Sequence, residues 1–330
     1  MTSNKKRVRY DEQLKNEHST TSKTNSTLLT NSTNSTLTTN STLVSYLCPM
    51  EQQPGYILLI DCPDEKGLVH HISGVLYRLG LNIIGNQEFV EHEEDRFFMR
   101  TSFRGTIQPD EVVEELKALL PAGANISLSQ HRPKNIVLLV TKEQHCLAEL
   151  LVRNQFKELN ANILAVVGNH PDLGRFTHQF GINFHHVPHE GISREQHEAN
   201  ILEVVSRYQP EYLVLAKYMR ILSPEFVARF PNRIINIHHS FLPAFIGASP
   251  YRQAYERGVK IIGATAHIVN NDLDEGPIIV QNVIPVDHTY SVNDMIRTGK
   301  DVEKIALARA LQLVFDDKVT VNGNKTIIFD

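Results

Sequence analysis

The sequence predicts an α/β protein whose C-terminal part is a doubly wound, mostly parallel sheet, preceded by a smaller ferredoxin-like α+β domain and a disordered tail. Residues 135–330 alternate continuous apolar runs with helical stretches, as strands buried on both faces of a parallel sheet do. Residues 53–130 follow the order strand, helix, strand, strand, helix, strand. Residues 1–52 are rich in Ser, Thr and Asn, and we expect residues 131–134 to form a linker.

The tail contains the tract "HSTTSKTNSTLLTNSTNSTLTTNSTL", which repeats Asn-Ser-Thr four times. Such a polar tract cannot bury enough surface to offset its ordering entropy, which predicts disorder. Each repeat is formally a glycosylation sequon, but no apolar signal-peptide core accompanies it. The early "KKRVR" favours an organelle transit peptide as an alternative, against which the acidic residues Asp11, Glu12 and Glu17 argue.

The composition argues against several classes of function. The net charge is −4 and no basic run dominates a segment, so nucleic acid is not expected as a partner. No apolar run approaches the ~18 residues that a membrane span needs. The three cysteines form no CxxC pair, which indicates a reduced, cytoplasmic protein. The sixteen histidines show no metal-ligand spacing and no GxGxxG is present, so neither a metal nor a dinucleotide cofactor is expected.

The strand "RIINIHH" (233–239) ends in an amide and two imidazoles. In an extended segment residues two apart point the same way, so Asn236 and His238 face one ligand while Ile237 faces the core. Ligands of open α/β sheets lie beyond the carboxyl ends of the strands. These two residues are therefore candidates for a site, although a lone Asn-x-His more often only caps a turn.

A second stretch, "GATAHIVNNDLDEGPIIVQ" (263–281), runs from one strand through an acidic loop into another. It contributes His267 and Asp274. Taken alone, such a loop is typical of a solvated surface.

Together these stretches resemble the formyltransferase family, whose members use 10-formyltetrahydrofolate. The family pattern is Asn-x-His with a following "SLLP" segment, then a strand with His and "LDxGPII"; here the stretches read "NIHHSFLP" and "AHIVNNDLDEGPII". A third piece, "LAKYMRILSPEFV" (215–227), also matches, and the resemblance covers roughly residues 134–320. It implies a formyltransferase fold for residues 135–330 and no prosthetic group, the folate being the substrate.

The resemblance also implies the site residues. Asn236, His238 and Asp274 form the expected catalytic trio, with His267 in support. The expected folate contacts are Met219, Arg220, Ile221, Leu222, Asn270, Asn271 and Asp272.

Each residue type of the trio suits formyl transfer on chemical grounds alone. The Asn236 amide can donate to the formyl oxygen as it gains negative charge, and such a donor is typically worth ~3 kcal/mol. His238 has an intrinsic pKa near the working pH and can donate a second hydrogen bond or a proton. Asp274 can orient the imidazole, raise its pKa or accept a proton from the nucleophile. The two groups titrate as a pair, so their individual proton roles stay open.

The identity of the acceptor follows from the loop after the first strand of this domain. Glycinamide ribonucleotide transferases hold a phosphate there on the glycine-rich sequence "GNGSN", whereas this chain has the glycine-free "TKEQHCL" (141–147). The chain also ends soon after its last helix, so we expect no additional tRNA-binding domain of the methionyl-tRNA formyltransferase kind. Water is then the remaining acceptor, and the chain resembles the formyltetrahydrofolate deformylases. Transfer to an amine such as glycinamide ribonucleotide, and a non-catalytic sensor of folate or amino acids, remain alternatives.

The N-terminal stretch "DCPDEKGLVHHISGVL" resembles the opening of an ACT domain, a module that pairs through its sheets and binds small amino acids. The resemblance implies a homo-oligomer and an effector site near Asp61, Gly67 and Leu68, where the free N–H groups of a helix could hold a carboxylate. Glycine and methionine are the effectors that suit one-carbon chemistry. A role in dimerisation alone is the alternative.

Overall fold

The computed structural model describes residues 55–244 and 249–330. The tail predicted for residues 1–52, with its glycosylation sequons and Cys48, lies outside the described residues. In the part that is described, no helix is both long and apolar enough to cross a membrane.

The N-terminal domain is a four-stranded antiparallel sheet with two helices, as predicted. Its elements are β1 (Gly55–Pro63), α1 (Leu68–Arg78), β2 (Asn82–Glu91), β3 (Arg96–Arg104), α2 (Pro109–Leu119) and β4 (Asn125–Gln130). The strand order β2-β3-β1-β4 places the first strand between the third and the fourth. One apolar core joins α1 and the sheet through Leu58, Ile72, Leu76 and Phe103. The apolar residues of the helix and the inward-facing residues of the strands thus pack in the same layer.

The C-terminal domain alternates strands and helices through most of its length. Its elements are β5 (Lys134–Val140), α3 (His145–Gln155), β6 (Ala161–Gly168), α4 (Gly174–His178), β7 (Asn183–His186), α5 (Arg194–Ser206), β8 (Tyr212–Leu215), α6 (Pro224–Val227), β9 (Ile234–His238), α7 (Pro250–Arg257), β10 (Ile261–Ile268), β11 (Ile278–Pro285), α8 (Val292–Phe315), β12 (Val319–Asn322) and β13 (Lys325–Ile328).

The order of the larger sheet is β11-β10-β9-β8-β5-β6-β7. Strands β5 to β9 pair in parallel, whereas β10 and β11 add antiparallel neighbours at one edge. This confirms the predicted mostly parallel sheet. Strand β5 is the middle one of the five parallel strands, since the chain adds β6 and β7 on one side of it and then β8 and β9 on the other. The carboxyl ends of β5 and β8 therefore border the crevice in which such sheets bind ligands.

Burial of β5 on both faces explains its continuous apolar run. Ile136 and Leu138 pack in one core, while Val137 and Leu139, which point the opposite way, pack in another. Helices thus cover both faces of the sheet, and polar side chains can reach a ligand only at the strand ends.

The two domains meet at the C-terminal end of α8. The Arg100 guanidinium on β3 donates hydrogen bonds to the carbonyl oxygens of Asp316 and Asp317, at 2.9 and 2.8 Å. The Asp317 carboxylate in turn binds Lys134 at 2.9 Å and Ser129 at 3.2 Å. A cation at the end of a helix also stabilises the helix dipole, so the N-terminal domain is anchored to the last helix of its neighbour.

Candidate active site

Strand β9 carries two polar side chains to its carboxyl end. Ile237 is buried in the core, while His238 is 6% exposed and Asn236 is half-buried. This confirms the period-two interpretation of the sequence. In the antiparallel register with β10, His267 lies opposite Asn236 and Thr265 lies opposite His238. The sheet therefore places His267 beside the Asn-x-His pair.

The loop between β10 and β11 brings Asp274 to the same place. Its Oδ2 lies 3.2 Å from His238 Nδ1, and its Oδ1 lies 3.8 Å from His267 Nε2. Asp274 has a left-handed backbone with φ of 59°, which aspartate tolerates better than most residues. A Cβ at Gly276 would lie 1.8 Å from the carbonyl oxygen of Ile268, so only glycine lets the loop return this closely over β10. The structure thus brings together all four residues of the predicted catalytic set.

One ring nitrogen of His238 is engaged and the other is open. Nδ1 faces Asp274, whereas Nε2 is buried and has no hydrogen-bond partner among the described residues. A buried polar atom without a partner is unusual in a folded protein and indicates a functional position. The His238 ring also stacks on His239, with 4.9 Å between the ring centroids.

His267 fixes the orientation of the Asn236 amide. Its Nδ1 lies 3.0 Å from the Ile268 carbonyl oxygen and must donate to it, while Nε2 lies 3.2 Å from Asn236 Nδ2. Burial lowers the pKa of His267, so the ring stays neutral and Nε2 accepts a hydrogen bond from the amide. The amide nitrogen therefore points toward His267, and its second N–H is available to a ligand.

The charges of the site favour an ionised carboxylate beside neutral rings. Burial would raise the pKa of Asp274, but the hydrogen bond from His238 and the nearby imidazoles outweigh it and lower that pKa. Burial, followed by the charge of Lys217, lowers the pKa of His239 to about 4. At neutral pH, Asp274 is therefore the negative partner of His238 and His239 is uncharged.

The segment after β8 presents apolar side chains to solvent. Met219 is 57% and Ile221 58% exposed, while Leu222 and Arg220 are partly buried. The Met219 amide N–H donates to Thr141 Oγ1 at 2.9 Å, which ties this segment to the end of β5 at the predicted crevice. Exposed apolar residues at this position are suited to covering a flat ring.

The other predicted folate contacts lie in the loop that carries Asp274. Asn270 is partly buried and its Oδ1 accepts a hydrogen bond from the Asp272 amide at 3.1 Å, forming a turn. Asn271 and Asp272 are exposed. Leu222, at the end of the segment after β8, and Val269, just before Asn270, pack against the same apolar core.

The predicted effector residues have other partners within their own domain. Asp61 binds Arg96 and accepts a hydrogen bond from Asn125 at 3.1 Å. Leu68 is buried in the core, so its side chain is not free to contact an effector. Gly67 precedes α1 with φ of 99°, and no side chain within residues 55–244 or 249–330 caps that helix end. Gly67 and Leu68 can therefore offer only their backbone to a carboxylate, at the start of α1.

A buried charge cluster beside the site was not anticipated from the sequence. Glu303 on α8 accepts hydrogen bonds from His145 Nε2 and Tyr251 OH, both at 2.7 Å, and lies 3.2 Å from Lys217 Nζ. A sequence signal existed: Glu303 falls on the apolar face of α8, four residues before the buried Leu307.

Two groups of described residues have the spacing of metal ligands: His145, Cys146 and Glu303, and His170, His189 and Glu190. Glu303 of the first group is already satisfied by the partners of the charge cluster. The absence of a metal stays a prediction.

We expect the Glu303 cluster to make the protein more sensitive to acid. Burial would raise the pKa of Glu303, but the hydrogen bonds from His145 and Tyr251 and the charge of Lys217 hold it at about 2, below its usual 4.5. A carboxyl group whose pKa is lower in the folded than in the unfolded protein stabilises the fold when the pH is above its unfolded-state pKa. That stabilisation is lost as the pH falls towards and through the folded-state pKa. Between about pH 5 and pH 3 this component amounts to about 2 kcal/mol.

The measurement is the free energy of unfolding in urea at these two pH values, for the wild type and Glu303→Gln. The glutamine variant is expected to lack this component of the pH dependence. An equally steep dependence in both proteins contradicts the assignment.

Comparison with known families agrees with the two domains. Residues 134–311 match the formyl transferase family, and residues 56–121 match the ACT domain family. A solved glycinamide ribonucleotide transformylase from Symbiobacterium toebii superimposes with a TM-score of 0.58 and 30% identity, covering 64% of this chain and 100% of its own.

Known relatives align with this chain over nearly their whole length. A formyltetrahydrofolate deformylase from Haemophilus influenzae is 54% identical over 272 residues, which cover 82% of this chain and 98% of the relative. The crystal structure of a formyltetrahydrofolate deformylase from Pseudomonas syringae pv. tomato has a TM-score of 0.81 and 37% identity, and the match covers 86% of this chain and 96% of that one. The chain therefore belongs to the formyltetrahydrofolate deformylase family, with an ACT domain ahead of a formyl transferase domain.

Proposed function

We propose that this protein hydrolyses 10-formyltetrahydrofolate to tetrahydrofolate and formate. The observation that carries the proposal is the His238–Asp274 pair at 3.2 Å, with His238 Nε2 buried and without a hydrogen-bond partner in the described part of the chain, on the strand that also carries Asn236. The pair supplies a group that can move a proton, and the amide supplies a donor for a developing oxyanion. A formyl group attacked by water needs both.

The reaction is proposed to begin with water adding to the formyl carbon. As the C=O bond opens, the free N–H of Asn236 donates to the oxygen that becomes negative, and His267 holds the amide in that orientation. The C–N bond to the folate then breaks, the folate nitrogen takes up a proton, and formate leaves. This sequence requires no group beyond the side chains of the site.

The proton that water releases is assigned to the His238–Asp274 pair as a unit. Asp274 is ionised because its pKa is lowered, so it can accept that proton directly or stabilise an imidazolium at His238. The two groups are strongly coupled, and the pair rather than either residue delivers the proton to the folate nitrogen.

We assign the folate ring to the surface formed by the segment after β8 and the loop before β11. Met219, Ile221 and Leu222 would cover the faces of the ring. The backbone of residues 270–272 would form hydrogen bonds with the donors and acceptors at its polar edge. The exposure of Met219 and Ile221 supports this assignment, since it leaves apolar area for a ligand to cover.

The loop at residues 141–147 supports water as the acceptor. Glu143 pairs with Lys300 at 3.0 Å, and His145 is bound to Glu303, so the side chains of this loop already occupy the space beside the strand end. A phosphate cradle needs backbone N–H groups that an anion can approach closely, and these bulky residues hinder that approach.

The acceptor can be tested by supplying one. Formate and tetrahydrofolate are measured from 10-formyltetrahydrofolate with and without glycinamide ribonucleotide. The proposal expects one formate per folate in both reactions. Turnover that occurs only when glycinamide ribonucleotide is present contradicts the proposed hydrolysis and favours the transferase alternative.

We propose that the ACT domain regulates this hydrolysis, which otherwise consumes a one-carbon donor continuously. The released formate can serve purine synthesis. Pairing of two chains through the edge strand β2 is part of the proposal, because Ile84 and Phe89 on that strand are exposed. The cytoplasm is the proposed location, since both Cys62 and Cys146 are buried free thiols.

The regulatory proposal predicts a response to an amino acid. Glycine or methionine is expected to change kcat/KM of the wild type at least about fivefold, the lower end of typical coupling between two sites. Gly67→Ala should lose the response, because a Cβ is strained at φ of 99° where the effector carboxylate would meet α1. If neither amino acid binds by calorimetry nor alters the rate, the dimerisation role stands instead.

A further inference from the structure

The buried cluster around Glu303 plays no part in the proposed proton transfers, yet it lies beside the reacting groups. Glu303 is 1% exposed and Lys217 is 5% exposed. Both oxygens of the carboxylate are used, Oε1 by Tyr251 and Oε2 by His145 and Lys217. The ammonium of Lys217 is therefore held in one position by a fully satisfied buried anion.

Two unfavourable local features converge on this cluster. Lys217 has a left-handed backbone with φ of 61°, a conformation that glycine adopts freely and a lysine only at a cost. On α8, a Cβ at Gly299 would lie 2.1 Å from the Tyr251 ring. Glycine is therefore needed at this position for the Tyr251 ring to pack against α8 and reach Glu303. Strained or specialised positions of this kind accumulate at functional sites.

The cluster forms a wall of a cavity that reaches the reacting centre. The cavity has a volume of about 310 Å³, and its lining includes Lys217, Glu303, Met219 and His239. His239 stacks directly on His238, and Met219 belongs to the proposed folate surface. The cavity therefore lies beside the proposed folate surface and is separated from the catalytic imidazole by the His239 ring.

The polar groups of this cavity already pair with one another. Lys217 pairs with Glu303 at 3.2 Å, and Lys300 at the rim pairs with Glu143 at 3.0 Å. A primary amine entering here would need to displace the Lys217 side chain and leave the Glu303 carboxylate without its cation, which is strongly unfavourable in a buried position.

We infer that Lys217, clamped by Glu303, is the specificity-determining residue for the acceptor: its side chain fills the space beside His239 through which an amine would approach the formyl carbon. Water is small enough to pass this side chain, and a primary amine carrying a carbon skeleton is not. The inference rests on the proposed hydrolysis, since it explains why water is the nucleophile of that reaction.

The test compares two double variants that differ only at position 217, where one has a side chain that fills the space and the other has none. Lys217→Gly/Glu303→Gln opens the space and leaves no unpaired charge, while Lys217→Met/Glu303→Gln keeps the space filled. Each protein, together with the wild type, is incubated with 10-formyltetrahydrofolate and a high concentration of glycinamide. Formate and N-formylglycinamide are quantified, and thermal unfolding confirms that the variants are folded.

The wild type and the methionine variant are expected to produce formate with little or no N-formylglycinamide. The glycine variant is expected to raise the ratio of amide to formate at least about tenfold, the usual scale of steric discrimination in a pocket. An equal ratio in the two double variants overturns the inference. Failure of the wild type to release formate without any amine would instead overturn the proposed function, so the two outcomes are distinguishable.

Discussion

Asp274→Asn is expected to lower kcat for formate release about a thousandfold, within the range that positioned acid–base groups contribute. Asparagine keeps the size of the side chain and can still contact His238 Nδ1, which lies 3.2 Å from the Asp274 carboxylate. It removes the negative charge that accepts the proton of water or stabilises an imidazolium. Binding of the folate should change little, because that charge acts on the reacting end. Single-turnover measurement of formate gives the rate directly.

The matched control is Asp301→Asn on α8. The Asp301 side chain is 63% exposed and binds Lys304 at 2.7 Å on the surface of the helix. An exposed pair of this kind contributes little, so the control should keep wild-type activity. A kcat within a few-fold of wild type for Asp274→Asn, in a folded protein, contradicts the proposed role of the carboxylate.

Asn236→Ala is expected to lower kcat by about two to three orders of magnitude, the usual effect of removing one donor to an oxyanion. The amide contributes most when charge develops on the formyl oxygen, so kcat should fall far more than KM rises. Asn200→Ala on α5 is a suitable control, because among the described residues the Asn200 side chain accepts a hydrogen bond only from Gln196 of the same helix.

The outcome that contradicts the role of Asn236 is a rise in KM with kcat unchanged. That result would make the amide a group that binds the ground state of the substrate. The same assay on His267→Ala should show a smaller fall in kcat, since His267 only orients the amide through its hydrogen bond at 3.2 Å.

Much of the fold, and the placing of the candidate catalytic residues near one another, could be predicted from local signals in the sequence. The apolar run into Asn236 and His238 marks a strand end through period-two alternation, and the structure places Ile237 in the core as expected. Asp274 was identified by resemblance to a family motif. The structure adds the physical reason for its position, which is that Gly276 lets the loop return over β10.

The charge cluster could not be predicted because its members come from three helices and a loop that are far apart in the sequence. His145 and Glu303 are 158 positions apart in the sequence, and only the packing of α8 against the sheet brings them within hydrogen-bonding distance. The left-handed backbone of Lys217 has no local signal, since lysine rarely adopts it.

The C-terminal hairpin of β12 and β13 is different, because a local signal was present. Gly323 and Asn324 form the two-residue turn between two runs rich in β-branched residues, and Gly-Asn at that place is a hairpin signal. The hairpin is close to the active site, since residues 324–326 line a cleft that also contains Asp274.

The central claim is that water itself attacks the formyl carbon, and the source of the oxygen in formate tests it most directly. The reaction is run in water enriched in heavy oxygen, with 10-formyltetrahydrofolate and no amine, and the formate is analysed by mass spectrometry at early times. The account predicts one heavy oxygen in each formate and an equal amount of tetrahydrofolate. Formate without the label, or formate that appears only after an amine acceptor is added, contradicts it.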